Sequence, residues 1–417
     1  MIKKIIVSFY IFVSLFALAQ ESTSSPYSFY GIGEIRFKGT VENRSMGTLS
    51  IFRDSLHLNL QNPASLSRLN FTTFAVGAST NSSILATATS DNVTKRTTID
   101  YIAVGLPLGK FGVNFGLMPY SAVGYKIAVN NLSNDVYLKK YDGTGGVNRV
   151  FLGFGYNFNN NFSAGLNIES NFGKITSNSV QYYNNVQYGY GTREYNNSNV
   201  SGVSTKIGLM YNTTLKSKIQ YDAGLTFEPQ SNLTFTNQRV ISTEQPSINS
   251  QLTIDFKAIS VPESVVKLPS KLSIGFGLGE NRKWKLGTEI VFQSATNFGN
   301  RFNDINNVGF EAATQYKLGG FFIPKYNSFT SYFKRVTYRG GFNYQNSGLI
   351  VNGKSIKEQN ITLGLGLPLG GAFSNLNIGF EFGKRGTKLA GLVLETYNNL
   401  TIGLSLNDKW FVKRRFD

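Results

Sequence analysis

One pattern constrains this chain more than any other: a two-residue alternation that keeps returning. In "SNLNIGFEFGKRG", Leu376, Ile378, Phe380 and Phe382 fall on alternate positions, with Asn377, Gly379 and Glu381 between them. A two-residue period is the repeat of a strand, so the four apolar side chains share one face. "ITLGLGLPLG" sets Ile361, Leu363, Leu365 and Leu367 against Thr362, Gly364 and Gly366, and "RVFLGFGYNF", "FSAGLNIES" and "NLTIGLSLN" follow the same rule. Between Thr72 and Asn407 there are roughly 14 to 18 such candidates of about 8–11 residues, the length of a tilted membrane-spanning strand. Sustained helical periodicity is nearly absent.

Two architectures give this alternation. In a soluble sandwich the apolar face is the core, whereas in an outer-membrane barrel it meets lipid and the polar face lines the lumen. Three features select the barrel. The apolar faces are smooth over many strands in series. The polar faces carry Gly, Asn, Ser and Thr with isolated charges, not the dense Lys and Glu of a soluble surface. Aromatic residues gather toward strand ends, at Tyr156, Phe158, Trp284, Phe292, Trp410 and Phe411, as in an interfacial girdle. The expected fold is all-β, a transmembrane antiparallel β-barrel, with the polar face inside.

The start of the chain agrees. "MIKKIIVSFYIFVSLFALAQ" has Lys3 and Lys4, an apolar run from Ile5 to Phe16, then Ala17-Leu18-Ala19. That is a secretory signal peptide, residues 1–19, with cleavage after Ala19. The expected location is the outer membrane of a Gram-negative bacterium, among its lipids and lipopolysaccharide. The formal charge of +17 would suggest nucleic acid in a cytoplasmic protein. Export argues against that, and basic groups beside lipid phosphates explain the excess more simply.

Residues 20–70 lack sustained alternation and are too long for a simple lead-in. They are expected to form an N-terminal hatch or plug, with the barrel over 71–417 ending in a basic and aromatic C-terminus that includes Lys413, Arg414 and Arg415. Residues 173–200, 241–268 and 294–334 are expected to contain large loops. Strand parity points Arg149, Glu169, Lys285, Glu289, Arg335, Arg339 and Glu381 into the lumen. Such charges either pair with each other and the plug or line a water-filled pore.

Enzyme chemistry finds little support. Cys is absent and His57 is the only His, which rules out a thiolate site or a His cluster within the chain. Ser55 lies two residues before His57, without a nucleophile motif around it. "GTGG" and "GLPLGK" lack the spacing of a phosphate-binding loop and read as turns. No metal or cofactor is expected.

"LQNPASLSRLNFTTFAVGAS", from Leu60 to Ser79, resembles the start of the FadL/TodX family of outer-membrane transporters, with Asn62-Pro63-Ala64 ahead of a first strand. The stretches from Pro324 to Gly353 and from Ser405 to Asp417 resemble FadL-like outer-membrane proteins of the Bacteroidota. The resemblance implies a barrel of about 14 strands, within the usual size range, plugged by an N-terminal hatch. It also implies passive uptake of a hydrophobic small molecule, with Asn62, Pro63 and Ala64 as the hatch-to-barrel residues. The wider group includes barrel subunits of secretion and assembly machines. A non-transporting subunit bound to other outer-membrane proteins is therefore the competing expectation.

Overall fold

The structure is a computed structural model that describes residues 23–130, 136–183, 190–215, 218–246, 251–295, 307–370 and 373–410. The signal peptide and the basic C-terminal residues lie outside the described residues.

A short strand β1 (Glu34–Ile35) and one helical turn α1 (Val41–Arg44) precede the wall. The wall begins with β2 (Thr72–Ala86), β3 (Asp91–Leu108), β4 (Phe111–Asn130), β5 (Val136–Asn157), β6 (Phe162–Tyr183) and β7 (Gly191–Thr214). Next, β8 (Ile219–Glu228) continues into β9 (Ser231–Pro246). The chain returns through β10 (Gln251–Ser260), β11 (Ser264–Leu268) and β12 (Lys271–Glu280). After β13 (Trp284–Gln293), β14 (Val308–Phe310) leads into β15 (Ala313–Phe322). The last four are β16 (Thr337–Val351), β17 (Lys354–Pro368), β18 (Asn375–Gly386) and β19 (Leu394–Asp408). Counting β8–β9, β10–β12 and β14–β15 as one crossing each, the wall is a closed antiparallel barrel of 14 strands. Closure is the pairing of β19 with β2, from Leu394 opposite Ala86 to Asp408 opposite Thr72. A closed wall leaves no sheet edge to face lipid, which is why barrels can span a membrane.

The alternation sets the two faces. Phe380, Phe382, Ile361, Leu363 and Leu166 point outward and are exposed, while Asn377, Glu381, Thr362 and Asn167 on the same strands are buried inside. Outside, a charge at mid-bilayer would cost about 2–4 kcal/mol for Arg or Lys, so the outer face is kept apolar.

The expected large loops are corrected in part. Residues 173–183 and 191–200 belong to β6 and β7, strands of 22 and 24 residues. Most of 241–268 lies in β9, β10 and β11, and 313–322 is wall strand. Several strands are therefore longer than a membrane crossing needs. Their outer extensions are rich in Asn, Ser, Thr and Tyr, a composition that suits a sheet in water as well as a loop.

The ends of the barrel differ. The end holding Thr72 and Asp408 has turns as short as 109–110 and 281–283. Short turns mark the periplasmic end of an outer-membrane barrel.

Candidate functional site

Residues 23–71 lie within the lumen, against the inward faces of the wall strands. They touch inward faces all round the wall. The Gly47 N–H donates to Thr362 on β17, that of Ser50 donates to Glu289 on β13, and the Asn62 amide donates to the Leu209 carbonyl on β7. Inward glycines supply the room. A Cβ at Gly364 would overlap the Ser45 side chain, and one at Gly165 would overlap the Pro63 backbone. The glycines between outward Leu and Phe are thus seats for a second layer of chain.

One ionic cluster joins this segment to β17, β18 and β19. Lys38 lies 2.8 Å from Glu358 and 3.3 Å from Glu381. Arg44 bridges Glu381 at 3.1 Å and Asp100 of β3 at 2.8 Å. Arg385 holds Glu358 at 2.8 Å and Glu34 at 2.9 Å, while the Tyr397 hydroxyl donates to Glu358 at 2.6 Å. Burial alone would raise the Glu34 pKa, but Arg385 and then Arg36 outweigh it and hold the carboxyl down at about 2.

A second set of ion pairs lies across the lumen, with both partners of each pair on wall strands. Arg149 sits 2.6 Å from Glu169 and stacks over Tyr120, its guanidinium carbon 4.0 Å from the ring centroid. Lys206 lies 2.9 Å from Glu228 and 3.8 Å from Glu169. Lys285 pairs with Asp222 at 2.6 Å. Glu289 pairs with Lys317 at 2.8 Å and also accepts from the Ser50 N–H and hydroxyl of the N-terminal segment.

Of the other residues singled out by sequence, Arg339 is buried and donates to Asn377, which donates to Glu42 of α1. Arg335 is placed elsewhere. It is exposed in the turn before β16, over the Tyr332 ring, because that strand begins only at Thr337 and parity does not extend into a turn. His57 lies 2.8 Å from Asp54 and 3.9 Å from Glu42. Burial disfavours its charged form, yet these carboxylates prevail and raise its pKa. Asn62 caps a short 3-10 helix, Pro63–Arg68, by accepting from the Ala64 N–H. Pro63 and Ala64 are buried against β6 and β7, with Gly165 and Gly208 beneath them.

Sequence reasoning missed Glu358, Arg385, Asp222 and Lys317, although each has inward parity on its strand. Lys38 and Arg44 gave no periodic signal, because they lie outside the strands.

Among the described residues the wall has an open seam between β3 and β4. β3 and β4 pair only from Ile102–Leu117 to Leu108–Phe111. Beyond it β1 takes the place of β3, pairing Glu34 with Ala122 and Ile35 with Ser121. Next to β1 lies a cavity of about 290 Å³, lined by Tyr30, Phe37, Tyr120, Gln315, Asn343 and Glu358 among others.

Solved structures share this architecture. The toluene transporter TbuX of Ralstonia pickettii is 14% identical, with a TM-score of 0.60, and the match covers 88% of this chain and 98% of that one. The Pseudomonas putida toluene transporter TodX is 13% identical with a TM-score of 0.56, over 91% of this chain and 100% of that one. A Pseudomonas aeruginosa FadL homologue is 9% identical with a TM-score of 0.60, over 91% and 100%. The protein is a barrel of the FadL/TodX fold. Its sequence matches the BamG family profile over residues 1–417, and the chain belongs to that family. No curated protein matches the chain.

Proposed function

We propose that this chain is a non-transporting barrel subunit of an outer-membrane protein assembly or secretion complex. In this reading it is exported through residues 1–19 and lies in the outer membrane of a Gram-negative cell. The observation that carries the reading is the ion-paired lumen. Moving residues 23–71 aside would part Lys38, Arg44 and Glu34 from Glu358, Glu381, Asp100 and Arg385. Breaking one buried pair costs about 3–5 kcal/mol. Several together approach the whole stability of a domain, about 5–15 kcal/mol. A transporter that opened by this motion would meet that barrier at each cycle. The family name BamG also hints at a partner in a complex.

The second reading is passive uptake of a hydrophobic compound, with the N-terminal segment as hatch and Asn62, Pro63 and Ala64 as its contact with the wall. It is favoured by the fold shared with toluene transporters and by the cavity of about 290 Å³ beside the seam. The cavity's lining is mixed: Phe37, Phe310, Leu349 and Ile356 would suit an apolar guest, but Glu34, Lys38, Glu358 and Arg385 set charge beside it.

Purification of the tagged protein from outer membranes in mild detergent, with mass spectrometry of proteins and lipids, tests the two readings. A stoichiometric protein partner and no retained hydrophobe is the expected result. A lone barrel carrying a fatty acid or similar compound would overturn the subunit reading.

A further inference from the structure

The periplasmic turns are short with one exception. They run from two residues (109–110) to six (369–374), whereas the turn between Phe322 at the end of β15 and Thr337 at the start of β16 spans fourteen, 323–336. Ile323 and Val336 are buried at its two roots. Between them Phe329 is fully exposed, and Phe333 is 72% exposed. Phe329 and Phe333 leave most of their surface to water, Phe333 meeting the Tyr332 ring edge-on at 6.1 Å, and exposed aromatic groups of this kind concentrate at interaction sites.

The turn also has a fixed shape. The Lys325 N–H donates to the Lys334 carbonyl at 2.8 Å, and that of Arg335 to the Tyr332 carbonyl at 2.9 Å. The Ser328 N–H donates to the Lys325 carbonyl, and the Ser331 N–H to the Ser328 hydroxyl. Two clamps tie the turn to its neighbours along the rim. The Tyr332 hydroxyl donates to the Pro368 carbonyl at 3.1 Å, and Arg282 of the β12–β13 turn lies over the Tyr326 ring. Its charge has one sign. Lys325, Lys334 and Arg335 lie within it and no Asp or Glu does. No carboxylate among the described residues forms an ion pair with any of the three.

We propose that turn 323–336 is a docking element for a periplasmic protein whose surface offers an apolar pocket ringed by carboxylates. Phe329 and Phe333 enter the pocket, and Lys325, Lys334 and Arg335 meet the acidic rim. The inference rests on the subunit reading above and names the surface that serves it. A lipid surface would accept aromatic and basic groups in any arrangement, and anchoring there would gain nothing from the internal hydrogen bonds and rim clamps. A protein partner gains from them directly, since rings held in place before contact lose little conformational freedom on binding.

The test places the photo-crosslinking residue benzoylphenylalanine at Phe329 of the full-length protein in living cells. Asn160, exposed in the short 158–161 turn, is the control position. Expected is a protein adduct from position 329 and none from position 160. The double variants Phe329→Ser with Phe333→Ser, and Lys334→Glu with Arg335→Glu, should each lower the co-purified partner at least about tenfold, as truncation of interface anchors does. Both should leave barrel folding, read from heat-dependent gel mobility, unchanged. Lipid adducts alone, no adduct, or full partner retention in both variants would overturn the docking turn. Stoichiometric partner retention with a silent position 329 overturns this inference and leaves the subunit reading standing. A protein adduct at 329 without a co-purifying partner does the reverse.

Discussion

The two sides of the lumen meet the same problem in different ways. On the β5–β7 side, Arg149, Glu169, Lys206 and Glu228 neutralise one another from strand to strand. On the β17–β19 side, Glu381 takes its cations, Lys38 and Arg44, from a separate segment of chain, and Glu358 shares Lys38 with Arg385 of the wall. The first side is complete as soon as the wall closes. The second is complete only when the N-terminal segment is in place. The segment is therefore part of the electrostatics of the barrel and not merely a filler, because buried carboxylates without counter-charges are strongly destabilising.

The largest effect should come from deleting 23–70 while keeping the signal peptide. The β17–β19 carboxylates would then lose Lys38 and Arg44 together, and folded barrel should fall sharply in heat-modifiability gels. A barrel of unchanged stability would remove the distinction between the two sides. Next comes Arg44→Ala, which leaves Asp100 without a cation and Glu381 with Lys38 alone, and should cost about 3–5 kcal/mol in urea titrations. Arg149→Ala should cost less, because Lys206 remains 3.8 Å from Glu169. Equal losses would show that the two sides do not differ.

Gly364→Val tests the seat without touching a charge. Its side chain would overlap Ser45, and overpacking costs about 1–3 kcal/mol. Hydrogen exchange should quicken in residues 40–50 and not in β6. Quickening in β6 alone would break the assignment of this glycine to the segment.

The smallest effects are pH-dependent and of opposite sign. The Glu34 carboxyl is depressed to about 2, below its unfolded value of about 4.3. Its contribution is present above the unfolded value and lost as pH falls toward 2. The His57 pKa is raised above an unfolded value of about 6.5. Its contribution is complete below that value and lost as pH rises through the folded pKa. Exchange protection of residues 23–71 should thus be greatest at mildly acidic pH, and His57→Gln should flatten the alkaline limb. An unchanged alkaline limb in that variant would exclude His57 as its source.

Much of the wall is legible in the sequence. Leu376, Ile378, Phe380 and Phe382 alternate with Asn377 and Glu381, and that parity marks lipid face from lumen face. Arg149, Glu169, Lys285, Glu289, Arg339 and Glu381 lie on the lumen side by the same parity. Arg335 departs from it because parity means nothing once the chain leaves the sheet. The water-exposed parts of β6, β7 and β9 looked like loops because Asn, Ser and Thr serve turns and sheets in water alike.

What the sequence by itself determined is the repeat, the faces and the existence of a barrel, because a two-residue period is a local property of extended chain. Tertiary structure alone decided which charge meets which. Arg44 and Glu381 are 337 positions apart, and only closure of β19 onto β2 around the N-terminal segment brings them together. The same holds for the seam, where β1 replaces β3 beside β4, and for the glycine seats. Each depends on a second piece of chain at close range, and no periodicity along one strand encodes its neighbour across the lumen.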